Sequence, residues 1–304
     1  MADTRAPLPL DPAALRRAFG RTAAAGAAAA FLDREIEKRM AERLEYIRHD
    51  PQRILDGGIG SGASLAPLRA RFPKAALVGL DVSLERIRAV RPLALTERAR
   101  QFFSGRTVRA VCGDLNLLPF AGATFDLVWS NLALPFAADT LEAFREWHRV
   151  LRVGGLLMFS TYGPDTLKEL REAFAAADAH LHVHGFIDMH DLGDMLVATG
   201  FAEPVMDMEL LTLTYTDVGA LASDLRRSGQ INAIATRSRG LMTPRARDRM
   251  LTAYERFRRQ DRLPATVEVI YGHAWKPEPQ RAPDGCAIVK FDRPGKRRGS
   301  ARAP

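Results

Sequence analysis

The chain has almost no cysteine: two in 304 residues, Cys112 and Cys286, far apart and in no Cys-x-x-Cys pair. That excludes a disulfide framework and a cysteine-built zinc site, and it is the usage of a reducing cytoplasm. Cys112 itself sits inside an apolar strand pattern and is expected to be a small buried hydrophobe. Long apolar runs are missing as well. The alanine stretch Thr22–Leu32 is short and weakly hydrophobic, below the ~18 residues of a membrane span. Arg16, Arg17 and Arg21 before it loosely imitate an export signal, but no cleavage site follows and "DREIEKRMAERL" continues as an amphipathic helix. No zinc finger, RNP pattern or basic–aromatic interleaving appears, so no nucleic-acid partner is expected. The histidines of "HLHVH" (His180, His182, His184) share a face only in an extended chain, and no acid completes a ligand set, so no metal is expected. There is no obvious pairing of a nucleophile with a base.

What is present is ordinary globular material, 47% apolar and 26% charged, enough for one large domain with an added subdomain. The net charge of +8 is unevenly spread. The tail Arg293–Pro304 has five positive charges and no negative ones, and is expected to be disordered. The region Ser223–Arg262 sets eleven arginines against four acids. It reads as a solvated helical face or as a docking surface for an acidic partner.

The first fifty residues have helical period. Short apolar strands then alternate with amphipathic helices: "RILDGG", "ALVGLD", "TVRAVCGD", "FDLVWSNL" and "GLLMFSTY" are strands, with helices such as "ASLAPLRARF" and "DTLEAFREWHRVL" between or after them. This rhythm predicts an α/β fold, a doubly wound parallel sheet covered on both faces. After Gly185 come a short helix, a strand over Glu203–Tyr215 and another over Pro264–Trp275. About fifty residues of helical period, Asp217 to Leu263, separate those strands and predict a helical lid over the sheet's carboxyl edge. The division expected is an amino-terminal segment 1–50 closing over a ligand, a main domain 51–276 with its lid at about 217–263, and an extension 277–304.

In such a sheet, ligands sit at the carboxyl ends of the strands. The first strand ends in "RILDGGIGSG", Asp56 followed by Gly58, Gly60 and Gly62. The loop alone fits either a dinucleotide fingerprint or an S-adenosylmethionine (SAM) loop. The second strand ends in Asp81, placed to accept hydrogen bonds from ribose hydroxyls and to repel the extra phosphate of NADP. Asp114 closes the third strand, where an acid can accept an adenine amine, and Asn131 closes the fourth. Val82 and Leu115 follow two of these acids as further cofactor positions. NAD would lay a pyrophosphate on the loop, against Asp56. SAM would lay an ammonium and a sulfonium there, so the acid favours SAM. Local readings compete: Asp81 can cap the helix after Ser83, Asp114 can cap a turn, and Asp126 at a strand start reads as structural.

These residues, with "GDLNLLPFAGATFDLVWSNLAL" and "EWHRVLRVGGLLMFSTYGPDTLKELREAF", resemble the class I SAM-dependent methyltransferases. More narrowly, from about Leu15 to Trp275 and including "FIDMHDLGDML" and "EVIYGHAWK", the chain is similar to the malonyl-acyl-carrier-protein O-methyltransferase family of biotin synthesis. The resemblance implies a mostly parallel seven-stranded sheet, its last strand antiparallel. It implies SAM as cofactor, a malonyl carboxylate as methyl acceptor and an acidic acyl carrier protein as partner. It carries Arg21, in the motif of Phe19, Arg21 and Ala23, into the cofactor set. It also carries Arg226 into the substrate-orienting set, beside Asn131, which its place at the end of the fourth strand puts there. The chain departs from the family pattern at Gly26, at Pro135-Phe136, and at Gly57 and Ile59. Two other readings keep the fold: methyl transfer to another small acceptor, such as a quinone precursor or an acid, and a SAM-binding protein-modifying or assembly factor without methyl transfer.

Overall fold

The computed structural model describes residues 8–23, 31–90 and 108–279. Gly26, Cys286 and the tail from 280 on, with the expectations attached to them, lie outside the described residues.

Seven strands form one sheet: β1 (Arg53–Gly57), β2 (Ala76–Asp81), β3 (Val108–Cys112), β4 (Phe125–Asn131), β5 (Leu151–Tyr162), β6 (Ala202–Tyr215) and β7 (Leu263–Trp275). Their order is β3-β2-β1-β4-β5-β7-β6. The first five run parallel, whereas β7 is antiparallel to both β5 and β6. Order reverses between β1 and β4, which opens a crevice beyond their carboxyl ends.

Neighbouring residues on a strand face opposite sides, and both sides are covered. Ile54 joins a core with Ile36 and Met40 of α2 (Phe31–Leu44) and Leu68 of α3 (Leu65–Arg71). Leu55 joins another with Phe144 and Trp147 of α4 (Thr140–Val150). Strands buried on both faces need the unbroken apolar runs that the sequence has. The amino-terminal region holds α1 (Pro12–Thr22) and α2. Asp11 caps α1, accepting from the N–H of Ala13 and Ala14 at 3.0 Å each.

Several expectations need correction. β5 begins at Leu151, directly after α4, not at Leu156. Gly154, at φ 73°, bends the added residues and the register with β4 shifts there. The helix after β5, α5 (Lys168–Ala175), starts only past Leu167, which adopts φ 55°. Cys112 is exposed, not buried, because β3 is an edge strand.

A short helix, α6 (Met189–Ala198), precedes β6. Between β6 and β7 stand two helices, α7 (Val218–Ser228) and α8 (Pro244–Glu255), not one continuous helical run. Gly229, at φ 83°, stops α7. Pro244 opens α8 behind the Thr243 cap. With α5 they share a third apolar core. Tyr215 and Leu263 are facing partners in the ladder, so the insertion leaves and re-enters the sheet at one point. No described helix is long and apolar enough to cross a membrane.

Candidate functional site

The chain turns sharply after β1. Gly58, Gly60 and Gly62 all have positive φ (91°, 54° and 80°). The N–H groups of Gly58 and Ile59 donate to the Leu80 carbonyl at 2.8 and 2.9 Å, which pins the turn to β2. A Cβ on Gly58 would stand 2.2 Å from that of Ala133. The two unusual loop residues have local partners. Ile59 fills the space over Gly79, where a Cβ would lie 2.2 Å from its Cδ1, and Gly57 leaves room for Leu115, 3.2 Å from a Cβ there.

A cavity opens above this turn, holding about 1010 Å³ between its walls, part of it open to solvent. Gly58, Gly60, Asp81, Val82, Asp114, Leu115 and Asn131 all border it, so four strand ends converge as the fold requires. Three expected residues stand off its wall. Asp56 lies beneath the turn, 2% exposed, and accepts from the Ser64 hydroxyl. Gly62 backs onto Leu65 and Val90. Arg21 is exposed, because α1 turns Leu15 and Phe19 to the cavity and Arg21 lies past them on another face.

Asp81 closes the turn after β2 and also borders the cavity. One carboxylate oxygen accepts from Ser83 N–H at 2.8 Å, the other from Gly60 N–H at 3.0 Å. Asp114 also closes its own turn, accepting from Asn116 N–H at 2.9 Å. Asp126 is structural: it accepts from the N–H of Gln52 and Arg53 and pairs with Arg152 at 3.0 Å. Asn131 donates to the Asp33 carbonyl at 2.9 Å and accepts from Ser160 at 2.7 Å, tying α2 to the sheet.

The sequence reading missed several contributors. Asp33 and Tyr162 border the cavity, as do Arg86 and Gln230. Arg86 lies 4.0 Å over the Phe19 ring and 3.9 Å from Asp81. Gln230 donates to the Tyr162 oxygen at 2.6 Å, so the phenol keeps its own proton to offer. Burial, with Asp33 nearby, holds that phenol protonated. Glu37, on the same α2 turn as Asp33, accepts the Trp129 indole N–H at 3.0 and 3.2 Å. Phe19 and Phe136 meet edge to face at 5.2 Å, which puts the Pro135-Phe136 departure on the cavity wall. The only sequence signal for Asp33 and Glu37 was acids on an otherwise amphipathic helix.

Electrostatics define what the cavity accepts. Burial raises the carboxyls of Asp33 and Asp81, opposed in each by the Arg86 charge. Burial pushes Asp56 up to about 7, with Asp81 adding to the effect, and Glu37 up to about 8, with Asp56 adding to it. Four carboxyls thus surround the turn with one buried guanidinium among them. Such a set is relieved by a cationic ligand and strained by a pyrophosphate. The residues fit SAM: a glycine turn held at positive φ, a buried acid ending β2, and further acids that a cationic ligand would relieve.

A second cavity lies under α7 and α8 and shares Phe136, Tyr162 and Gln230 with the first. Arg226 belongs here, not to the cofactor cavity, and Arg247 joins it. The histidines are spread over separate tasks. His182 stacks on Phe174 at 4.0 Å and bonds Asp178. His184 is pushed down to about 4 by burial and accepts from Ala233 N–H at 3.0 Å. Among the described residues, no His, Cys, Asp and Glu group is arranged to hold a metal ion.

Residues 55–159 match the model of a methyltransferase domain family. A malonyl-[acyl-carrier protein] O-methyltransferase of Gallionella capsiferriformans is 48% identical over 281 residues, spanning 92% of this chain and 96% of its own. That of Laribacter hongkongensis is 50% identical over 285 residues, with the same shares. Among solved structures, the YcgJ protein of Bacillus subtilis superposes with TM-score 0.57 at 18% identity, covering 80% of this chain and 99% of its own. The [4+2]-cyclase SpnF does so with TM-score 0.51 at 21% identity, covering 80% of each chain. At such identity these structures speak to the fold alone, and a cyclase among them shows that the fold does not dictate the reaction.

Proposed function

The chain belongs to the malonyl-[acyl-carrier protein] O-methyltransferase family and is a SAM-dependent methyltransferase; from that premise we propose that it methylates the free carboxylate of a malonyl group carried on acyl carrier protein. The observation that supports this reading best is the junction of the two cavities. An acid-lined cavity meets an apolar one at Phe136, Tyr162 and Gln230, and the apolar one carries arginines on its wall. An apolar cavity with arginines on its wall can take the uncharged arm of a carrier-borne thioester.

SAM, when bound, supplies an electrophilic methyl on a sulfonium. Gly58 and Gly60 would hold its tail, Asp81 its ribose, Asp114 its adenine edge. A malonyl carboxylate has a pKa of roughly 3–4 and is ionised at neutral pH, so no general base is needed. The chain's own work is alignment and drying, and alignment alone is worth up to ~7–11 kcal/mol. Tyr162, with its free proton, and Asn131 stand where the acceptor carboxylate would be oriented. Cation and anion become neutral products, so a dry site favours the transition state. The same buried acids then hold a neutral thioether less well than a sulfonium, which helps the spent cofactor leave.

The described start of the chain, through α1, and the insertion together form the cover. Asp11 pairs with Arg237 at 3.1 Å, and Leu10 bridges to Ile234. The arginine-rich insertion gives the carrier protein an oppositely charged face. Methylation would mask the malonyl charge, so that the ester can prime chain extension towards the biotin precursor. The cysteine usage suits action in the cytoplasm.

Methyl-labelled SAM incubated with malonyl-acyl carrier protein should yield a labelled, base-labile methyl ester on the carrier. Label retained in SAM with malonyl carrier, but transferred to a free acid or quinone precursor, would transfer the chain to another acceptor class.

A further inference from the structure

The second cavity changes character along its length. Its inner end is the junction at Tyr162 and Gln230. Its middle is walled by Leu170, Phe174, Leu221 and Met250, part of the core that joins α5, α7 and α8. Its wall also carries Arg226 from α7 and Arg247 from α8, and both side chains are exposed.

Neither guanidinium has an acceptor among the described residues, although acids stand close in sequence. Asp224 is taken by Arg227 at 3.3 Å and by the Tyr215 hydroxyl at 2.9 Å. Glu255 is taken by Arg258 at 2.7 Å. Two helices thus bring two uncompensated cations to the solvent side of an apolar passage. Their exposure also separates them from the reacting carboxylate. Methyl transfer needs that carboxylate dry at the junction, whereas these side chains are wet.

On the reading of a carrier-bound substrate, the acceptor reaches the cavity on a pantetheine arm. That arm is long and uncharged, with a single fixed negative charge, a phosphodiester, at its protein end. We propose that Arg226 and Arg247 form a clamp for that phosphate, with the arm in the apolar passage and the malonyl carboxylate at Tyr162. Guanidinium forks suit phosphate oxygens, and bonds with both partners charged are the stronger kind. The clamp moves Arg226 from the reacting carboxylate, where the sequence placed it, to the other end of the substrate. It also sets length: a thioester without the phosphate lacks its anchor and loses the register that brings its carboxylate to the junction.

The test uses three malonyl thioesters, on pantetheine, on phosphopantetheine and on acyl carrier protein, with the full-length chain and its Arg226→Ala/Arg247→Ala form. Loss of two water-exposed guanidinium–phosphate contacts should raise KM for malonyl-phosphopantetheine about tenfold. KM for malonyl-pantetheine should stay within about twofold of the parent value. Arg226→Lys/Arg247→Lys should restore part of the difference, since charge survives without the fork. Equal thermal shifts with S-adenosylhomocysteine would show that the cofactor half is intact. A KM that rises equally for the two small thioesters overturns the clamp, because the arginines then act on a part they share. So does a KM that rises for neither. A parent protein that binds S-adenosylhomocysteine yet methylates no malonyl thioester overturns the reading of function, and the clamp with it. A parent that methylates all three, with indifferent variants, overturns the clamp alone.

Discussion

Replacing Glu37 with glutamine would measure how far the protein holds its buried acids against ionisation. Glu37 is 3% exposed, and both its oxygens accept from the Trp129 indole. Burial first, then the charge of Asp56, carries its carboxyl from 4.5 up to about 8. Between those values the folded chain holds one proton that the unfolded chain has released. Stability therefore falls as pH rises, by about 1.4 kcal/mol per unit. Across the window the ceiling is about 5 kcal/mol. Asp56, raised to about 7 from 3.8, adds a slope of the same sign over its own lower window. Glutamine keeps the shape and one acceptor for the indole but has no proton to lose. Urea unfolding at pH 5.5, 6.5 and 7.5 should show the parent weakening steadily. The Glu37→Gln form should weaken by about 1 kcal/mol less per unit and be the more stable of the two at the highest pH. Parallel lines for the two proteins would mean that Glu37 ionises normally and that the cavity is not short of positive charge.

Three further outcomes follow from the same geometry. Asp81→Ala removes the acceptor for Gly60 and Ser83 N–H and for a ribose, and should weaken S-adenosylhomocysteine binding by about 1.5–3 kcal/mol in calorimetry; unchanged affinity would refute its ribose role. Gly58→Ala drives a methyl into Ala133 at positive φ and should lower the unfolding free energy by about 1–3 kcal/mol and impair cofactor binding. Adding Ala133→Gly should recover the steric part and leave the dihedral part, about 1 kcal/mol; no recovery would disprove the contact. Reversing Arg245 and Arg256, both exposed on or beside α8, to Glu should raise KM for malonyl-acyl carrier protein several-fold at low salt and spare malonyl-phosphopantetheine. The contrast should fade with ionic strength, and equal loss with both substrates would reduce this face to a solvating one.

Features carried by consecutive residues were legible in the sequence. The turn after β1 and the acid ending β2 are local strand–turn patterns, and the parallel sheet follows from apolar strands alternating with helices. What was not legible depends on residues far apart in the chain. Asp33 and Glu37 read as polar helix residues until α2 is laid against β4. Arg86 reads as a surface charge until Phe19 arrives from α1. The exposure of Cys112 follows from strand order, which no window around it contains. The break between α7 and α8 is a different case. Gly229 and Thr243-Pro244 are ordinary stop and start signals, but the helical period of the flanking arginine-rich stretches outweighed them.

The pairing of Tyr215 with Leu263 has a consequence for how such an enzyme changes over generations. The segment between them begins and ends on adjacent strands, about 5 Å apart. Any sequence whose ends meet at that spacing can replace it without altering one rung of the ladder. The cofactor half is built chiefly at the ends of β1, β2, β3 and β4, none of which the join touches. Much of the second cavity's wall lies in this insertion, so a lineage can change that wall by grafting at those two residues, provided the graft keeps the Ser228 and Gln230 positions that also border the first cavity. A chimera joined at Tyr215 and Leu263 is the place where an engineer would start.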